Sequence, residues 1–81
     1  MNIFVYVLES ETHKRRYVGI TEDLTKRVKE HNSGKSKSTA PYRPWKLVYQ
    51  EVFPDYKKAR IREKWLKSGV GRDYLNKILD P

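Results

Sequence analysis

Residues 3–20, IFVYVLESETHKRRYVGI, contain the two short runs that decide the fold. The first run, Ile3–Leu8, is rich in β-branched and aromatic residues and ends in polar residues, which indicates a strand. Apolar residues in this run do not alternate with polar ones, so we expect both faces of the strand to be buried, as in a central strand. A polar loop over 10–15 leads to a second short strand, Arg16–Ile20, and the two runs together predict a hairpin.

The rest of the chain predicts three helices and one strand, with limits set by caps and helix breakers. In chain order these are a helix from the cap Thr21 to about Asn32, a basic loop over 34–44, a strand Trp45–Phe53, a helix from Pro54 and Asp55 to about Lys67 or Ser68, a break at 69–71, and a helix over about 72–79. The pattern β-β-α-β-α-α predicts an α+β fold in which a small three-stranded, mostly antiparallel sheet is flanked by three helices. The length predicts a single domain over residues 1–81.

Charge is the strongest signal in the composition. Lys and Arg number 18 and Asp and Glu number 10, which leaves a formal net charge of +8. So large an excess on a small chain suits a nucleic-acid partner and suits an anionic membrane less well.

Other features of the composition exclude several classes of protein. The chain has no Cys and two His, which excludes a disulfide scaffold and a structural zinc site with the usual ligands. The longest apolar run is six residues, whereas a membrane span needs about 20. With no signal-peptide pattern at the N-terminus, we expect a cytoplasmic protein without a membrane partner, located at the nucleoid if the source is bacterial.

Two polar residues of the first predicted helix fall on its apolar side. At about 100° per residue, Arg27 and His31 share the face of Leu24 and Val28, the aliphatic residues of that helix. A structural interpretation is that Arg27 extends past the core to solvent while His31 caps the helix end. The alternative is that both belong to a functional site.

The second predicted helix places an acid at the edge of its core-facing side. Glu63 lies about 40° from Ala59 around the helix. An ordinary explanation is an intrahelical ion pair with Arg60 or Lys67, which contributes about 0.2–0.5 kcal/mol. The position at the rim of the apolar arc argues against a purely solvated side chain.

The predicted hairpin carries two tyrosines and a glycine. If opposed residues have numbers that sum to an odd value, Tyr6, Tyr17 and Gly19 lie on one face of the sheet. Each tyrosine alone is explained by ordinary strand packing. A glycine inside a strand costs stability and often marks the close approach of another group, so we expect a structural role for Gly19.

These positions together resemble the GIY-YIG nuclease superfamily, and most closely its small single-domain members, which are similar to the N-terminal nuclease domain of the bacterial excision-repair nuclease. Val5-Tyr6-Val7 occupies the position of the first motif, GIY, with Val5 where the family has Gly. Tyr17-Val18-Gly19 occupies the position of the second motif, YIG. Arg27 and His31 follow at the family's helix spacing, and Glu63 lies in a segment similar to the family's acidic helix.

The resemblance implies hydrolysis of phosphodiester bonds with one divalent metal ion, Mg²⁺ or Mn²⁺. It implies that Tyr6, Tyr17, Arg27, His31 and Glu63 are catalytic and that Glu63 holds the metal. Arg27 would contact the phosphate. The general base is expected to be Tyr6 with His31 as its proton acceptor, because Arg27, a metal and the net positive charge all favour a phenolate. Exchanged roles for Tyr6 and Tyr17, or His31 acting alone, are the alternatives.

The expected partner is nucleic acid, with DNA favoured over RNA. The function predicted is a DNA endonuclease of low sequence specificity, selective for DNA structure as a further hypothesis, in repair or recombination. The other hypothesis is a catalytically silent nucleic-acid-binding module on the same fold. The sequence leaves the oligomeric state and any role of Asn76 open. The expected nucleic-acid contacts are Lys14, Arg15, Arg16, Lys35, Lys37, Tyr42, Arg43, Lys46, Arg60 and Lys64.

Overall fold

The computed structural model describes residues 1–80 and confirms the predicted α+β architecture. The elements are β1 (Ile3–Ser10), β2 (Arg16–Thr21), α1 (Leu24–Ser33), β3 (Trp45–Phe53), α2 (Tyr56–Lys67) and α3 (Gly69–Leu79), with a short 3-10 turn at Ala40–Tyr42. Their order is the predicted β-β-α-β-α-α. None of the helices in this part of the chain has the length and apolar character needed to cross a membrane.

The three strands form one antiparallel sheet in the order β2-β1-β3. The central position of β1 explains its unbroken apolar run, since Val5 to Leu8 are completely buried. Tyr6 lies opposite Gly19, and Leu8 lies opposite Tyr17. The register therefore has the odd sums that were considered, and Tyr6, Tyr17 and Gly19 share one face of the sheet.

Each face of the sheet packs against different helices. On one face Val5 and Val7 contact the buried residues Ala59 and Leu66 of α2 and Leu75 of α3; we call this the α2/α3 face. The opposite face, called the α1 face, carries a smaller cluster formed by Tyr6, Leu8 and Trp45. Leu24 and Val28 of α1 pack against that cluster, as their helical spacing predicts.

The first helix begins later than predicted. Thr21 is the last residue of β2, where it pairs with Phe4, so it is not the N-cap. That role belongs to Asp23, whose side chain accepts a hydrogen bond of 3.1 Å from the backbone N–H of Lys26. The strand ladder extends one residue further than the polar character of Thr21 suggested, and an acid at the helix start also suits the helix dipole.

The last helix begins earlier than predicted, and the expected break at 69–71 is wrong. Ser68 caps α3, its hydroxyl accepting from the N–H of Gly71 at 3.3 Å. Gly71 is therefore inside the helix, where a side chain would overlap the carbonyl oxygen of Trp65. Here glycine serves close packing of α3 on the end of α2 rather than a break in the chain.

Candidate active site

A buried pair of polar side chains lies at the centre of the α1 face. Tyr6 comes from β1 and His31 from the last turn of α1, and both side chains are 0% exposed. The Tyr6 hydroxyl and His31 Nε2 are 3.0 Å apart, which is hydrogen-bonding distance. Burial, and then the charge of Arg27, lower the pKa of His31, while Glu30 opposes this effect. The lowered pKa favours neutral His31, in which one ring nitrogen carries no proton and accepts a hydrogen bond.

Tyr17 and Gly19 complete the wall of the site that β2 supplies. The ring of Tyr17 lies 4.6 Å from that of His31 and 6.2 Å from that of Tyr6, measured between centroids. A Cβ atom at Gly19 would lie 2.7 Å from the Tyr6 hydroxyl and 2.9 Å from Cε2 of Tyr17. The close approach expected at this glycine is present, because only a hydrogen fits between the two phenols.

The two tyrosines differ in their access to solvent. Tyr6 is completely buried, whereas Tyr17 is half-buried. No buried side-chain polar atom within residues 1–80 lacks a hydrogen-bond partner. The hydroxyl of Tyr17 has no partner in that part of the chain, so it is open to water.

The environment of Tyr6 holds it in the neutral form. Burial, and then the neighbouring Tyr17, raise the pKa of Tyr6 from 10.0 to about 12. Arg27 acts in the opposite direction, but its effect is smaller than that of burial. Arg27 thus favours the phenolate of Tyr6, as expected, but the loss of solvation dominates and keeps Tyr6 neutral.

Arg27 lies beside both tyrosines at the open side of the site. Its Nη1 donates to Glu30 Oε1 at 3.1 Å, one helical turn away, and its side chain is 38% exposed. One carboxylate occupies only part of a guanidinium that has five N–H donors. Arg27 therefore keeps donors free for a phosphate and is not enclosed in a buried ion pair.

Glu63 of α2 lies close enough for its charge to act on Tyr6. Its negative charge is among the influences that raise the pKa of Tyr6. The side chain is 18% exposed, and its Oε2 accepts from Lys67 Nζ at 3.1 Å. The ion pair considered for this residue is thus present with Lys67 rather than with Arg60, and it leaves the second carboxylate oxygen free.

The chemistry of the donors fits one hydrated divalent ion. Within residues 1–80, no three side chains of His, Cys, Asp or Glu come close enough to surround a metal. A single carboxylate is compatible with Mg²⁺ or Mn²⁺, because Mg²⁺ retains several waters and takes phosphate oxygens of its substrate as ligands. Glu63 is the residue that would hold it.

Thr39 belongs to the site although the sequence did not indicate it. Its Oγ1 lies 3.0 Å from Nδ1 of His31, and the residue is only 2% exposed. The indole N–H of Trp45 donates to the Thr39 carbonyl at 2.8 Å and fixes the loop there. Nothing in the spacing marks Thr39, since it lies eight residues beyond His31 in a segment without periodicity.

One residue predicted to contact nucleic acid has a different role in the structure. Arg16 lies on the α2/α3 face, on the opposite side of β2 from Tyr17, and its guanidinium contacts Glu9 at 2.9 Å and Asp80 at 2.8 Å. The same side chain donates to Asn76 at 2.6 Å. This placement does not support a phosphate contact for Arg16, and it puts Asn76 with a structural cluster rather than with the five candidate catalytic residues.

The aromatic part of the predicted interface is largely occupied by the protein itself. The Arg15 guanidinium lies 4.4 Å from the ring centre of Tyr42, and the His13 ring packs edge-on at 5.1 Å. Trp45 is a core residue at 5% exposure, and Arg43 donates to the Ala40 carbonyl at 2.8 Å. The predicted basic residues that are exposed and outside the ion pairs found in residues 1–80 are Lys14, Arg15, Lys35, Lys37, Arg43, Lys46, Arg60 and Lys64.

A basic groove of about 970 Å³ runs beside the site. It lies between the β1–β2 hairpin and the junction of α2 with α3, and Lys14, Arg15 and Arg72 contribute positive charge to its walls. Tyr17 and Lys67 line it too. Because Lys67 pairs with Glu63, the groove adjoins the candidate catalytic residues.

The fold and this group of side chains match those that the resemblance to the GIY-YIG nuclease superfamily implies. The family model described as the GIY-YIG catalytic domain matches residues 2–77. The chain belongs to the GIY-YIG family, and the resemblance drawn from its motifs is confirmed.

Its relatives are UPF0213 proteins. The UPF0213 protein CPE1444 of Clostridium perfringens is 40% identical over 65 residues, which cover 79% of this chain and 69% of that protein. The UPF0213 protein YazA of Bacillus subtilis is 40% identical over 67 residues, covering 82% and 67%. The solution NMR structure of the UPF0213 protein BH0048 from Bacillus halodurans has a TM-score of 0.58 and 34% identity, and the match covers 96% of this chain and 85% of that one.

Proposed function

We propose that the protein is a metal-dependent endonuclease that hydrolyses phosphodiester bonds in DNA with low sequence specificity. The family supports a nuclease-like role and a nucleic-acid substrate in general. One observation carries the proposal: four polar side chains come together on one face of the sheet, and the charge of the Glu63 carboxylate acts on one of them, Tyr6. The four are Tyr6, Tyr17, Arg27 and His31.

Arg27 binds the scissile phosphate in this proposal. Attack by water adds negative charge to a group that is already anionic, so catalysis depends on donors that are in place before the reaction. The guanidinium of Arg27 is half-exposed, has unused N–H donors and lies beside both phenols. A planar guanidinium also suits two parallel hydrogen bonds to phosphate oxygens.

Glu63 is the proposed metal ligand. A bound Mg²⁺ or Mn²⁺ supplies stabilisation of the leaving oxygen. The role of the protein is to present one partly buried carboxylate whose charge reaches Tyr6. Lys67 holds that carboxylate from the side of the groove.

Tyr17 is the tyrosine we assign to the attacking water, with Tyr6 behind it. This exchanges the roles expected from the sequence, and two observations support the exchange. Tyr6 is buried and its pKa is raised to about 12, whereas the Tyr17 hydroxyl is open to water. In this proposal the Tyr17 oxygen takes the proton of the attacking water and its own hydroxyl proton passes to solvent; the water oxygen bonds to phosphorus, the bond from phosphorus to the leaving sugar oxygen breaks, and that oxygen takes a proton from solvent.

Low sequence specificity is proposed from the kind of basic residues that remain available. Exposed lysines such as Lys35, Lys37 and Lys46 contact phosphates, and phosphate contacts carry no direct sequence information. The groove at the α2–α3 junction offers a path for the strand that leaves the site. Selectivity for branched, nicked or flapped DNA, and a role in repair or recombination, belong to the same proposal.

The test is cleavage of a panel of labelled substrates with Mg²⁺, Mn²⁺ or a chelator. The panel contains duplex, nicked, flapped and branched DNA and an RNA duplex. We expect metal-dependent cleavage of DNA, loss of at least about 100-fold in Tyr17→Phe, and a smaller loss in Tyr6→Phe. Equal losses in the two variants would contradict the assignment of Tyr17, and cleavage of RNA alone would contradict DNA as the substrate.

A binding module without turnover is the second candidate. The observation that favours it is that Arg27 and Glu63 already have partners, Glu30 and Lys67. If the parent protein binds every DNA of the panel but cleaves none with any metal, and if Glu63→Gln binds equally well, this second function is correct.

A further inference from the structure

The directions of the hydrogen bonds around His31 follow from its neighbours. Within residues 1–80, the acceptor at hydrogen-bonding distance from the Tyr6 hydroxyl is His31 Nε2. A buried hydroxyl proton that is not donated costs free energy, so Tyr6 is the donor and Nε2 carries no proton. The ring proton of neutral His31 is then on Nδ1, which donates to Thr39 Oγ1 at 3.0 Å.

Thr39 can accept this proton because its own hydroxyl has another acceptor. Thr39 Oγ1 donates to the carbonyl of Ser36 at 3.4 Å. With the opposite tautomer, the N–H at Nε2 of His31 and the hydroxyl proton of Tyr6 would face each other. No further acceptor for the Tyr6 proton lies within the part of the chain that the structure describes, and that arrangement is excluded by the burial of both groups.

We propose that Thr39 is a positioning residue of the candidate active site: its hydroxyl holds neutral His31 in the Nδ1–H form and thereby fixes Tyr6 as a hydrogen-bond donor beside Gly19 and Tyr17. The consequence for cleavage rests on the proposed function, whereas the tautomer does not.

The position of Tyr6 matters because its hydroxyl fills the space above Gly19. The ring of Tyr17 is the other neighbour of that glycine, so a displaced Tyr6 pushes on the phenol that faces the water. Thr39 itself is anchored, since the Trp45 indole holds its carbonyl at 2.8 Å. A loop residue therefore controls the geometry of a site that is otherwise built on strands and a helix.

The titratable and charged groups that face His31 come from three elements. They are Tyr6 of β1, Tyr17 of β2, and Arg27 and Glu30 of α1. Thr39 does not titrate, so replacing it leaves the local charges unchanged. Any change of tautomer in a Thr39 variant is then caused by the lost hydrogen bond.

The experiment is ¹⁵N NMR of the imidazole nitrogens at pH 7.5 in the parent protein, Thr39→Val and Thr39→Ser. Nitrogen shifts separate a protonated from an unprotonated ring nitrogen. We expect protonated Nδ1 and unprotonated Nε2 at His31 in the parent, transfer of the proton toward Nε2 in Thr39→Val, and the parent pattern in Thr39→Ser. Thr25→Val, at an exposed position of α1, is the matched control and should change nothing.

Two results would overturn the inference. The first is a parent protein whose His31 carries its proton on Nε2, a measurement that needs no variant. The second is a folded Thr39→Val variant with an unchanged tautomer. If Thr39→Val does not fold, the comparison is made with Thr39→Ala and Thr39→Ser, and an unchanged tautomer in Thr39→Ala counts against the inference in the same way.

Cleavage assays separate this inference from the proposed function. We expect Thr39→Val to lose roughly tenfold in turnover, the lower end of the range for hydrogen-bond partners that orient metal-bound histidines, with little change in DNA affinity, and Thr39→Ser to restore turnover. A parent protein with the Nδ1–H tautomer and no cleavage would contradict the nuclease proposal alone. Full cleavage by Thr39→Val despite a changed tautomer would contradict the positioning role alone.

Discussion

The two faces of the sheet use the same residue types in different ways. On the α2/α3 face, Arg62 forms two hydrogen bonds of 2.9 Å with Glu51 and stacks on Trp65 at 4.4 Å. On the α1 face, Arg27 has one contact with Glu30 and leaves donors open. The difference shows that unused hydrogen-bonding capacity, rather than residue type, separates a candidate functional arginine from a structural one.

The tyrosines differ in the same way. On the α2/α3 face the Tyr49 hydroxyl donates to Glu51 and lies 3.2 Å from the Tyr74 hydroxyl. Both hydroxyls therefore have hydrogen-bond partners within the protein. The hydroxyl of Tyr17 on the α1 face has no hydrogen-bond partner within residues 1–80 and is open to water. The α2/α3 face holds the fold together, and the α1 face keeps free groups beside a buried polar network.

The largest difference between the two faces is expected when Arg27 and Arg62 are each replaced by alanine in separate variants. We expect Arg27→Ala to reduce cleavage at least about 100-fold, the scale for losing a donor that stabilises developing charge, with little loss of stability. Arg62→Ala leaves the partly buried Glu51 carboxylate with the Tyr49 hydroxyl but without its cationic partner, and should lower the free energy of unfolding by about 1–3 kcal/mol. Initial rates per folded molecule and chemical denaturation measure the two effects, and equal rates in the two variants would remove the distinction between the faces.

The next largest effect is expected at Gly19. A methyl group there would meet two phenols within 3 Å, so Gly19→Ala should destabilise the fold by about 1–3 kcal/mol through overpacking and lower turnover as well. Gly69 provides the control, because a methyl group at that position meets nothing within 4 Å. Thermal unfolding should show a drop for Gly19→Ala and none for Gly69→Ala, and similar melting temperatures would contradict the close approach.

The buried polar network predicts a pH dependence of stability in the acidic range. Burial lowers the pKa of His31 below its ordinary value of 6.5, so the unfolded chain binds the proton more tightly. The stabilisation by neutral His31 is therefore complete above pH 6.5 and is lost as pH falls through the folded pKa. Denaturation curves between pH 4 and 8 should show this slope in the parent and a weaker one in His31→Gln; identical slopes would contradict the burial.

Tyr6 predicts a corresponding loss at alkaline pH. Its pKa rises from 10.0 to about 12 in the folded protein. Its stabilisation is therefore present below pH 10 and disappears as pH rises toward 12. Tyr6→Phe should lack this part of the loss of stability when the free energy of unfolding is measured between about pH 9 and 12. An unchanged alkaline profile in Tyr6→Phe would count against a neutral buried phenol.

The smallest effects are expected from single basic residues. Lys37→Gln should weaken DNA binding equally for all sequences and reduce the slope of log affinity against log salt by about 1. Arg16→Gln should leave that slope unchanged and instead destabilise α3, because its contacts are Glu9 and Asp80. Salt titrations of binding by fluorescence anisotropy compare the two, and a reduced slope in Arg16→Gln would return that residue to the interface.

Much of the fold could be predicted because local patterns and tertiary structure agree. The continuous apolar run Ile3–Leu8 identified the central strand, and the period of 3.6 residues placed Arg27 and His31 beside the core. The end of β2 and the start of α3 could not be predicted from local signals. Thr21 joins the sheet through a pairing with Phe4, and Gly71 is needed for contact between helices, which a sequence pattern does not show.

The candidate site was only partly visible in the sequence for a similar reason. Spacing indicated Tyr6, Tyr17 and Glu63. The difference in burial between the two tyrosines could not be predicted, because it depends on how α1 covers the sheet. Thr39 reaches His31 through an irregular loop, and Arg16 faces away because of the strand's alternation. The net charge shows that the protein is basic, but it does not show which arginines form ion pairs within the fold.

The decisive measurement is the rate of DNA cleavage at saturating Mg²⁺ by the parent protein and by Glu63→Gln, with DNA affinity determined on the same samples. Lys67→Gln, which removes the partner of Glu63 and keeps the carboxylate, is the matched control. We predict cleavage by the parent and by Lys67→Gln, loss of at least about 100-fold in Glu63→Gln, and similar DNA affinity for the parent and Glu63→Gln. Equal rates in the parent and Glu63→Gln, or no cleavage by a parent protein that binds DNA, would contradict a metal-dependent nuclease built around this residue.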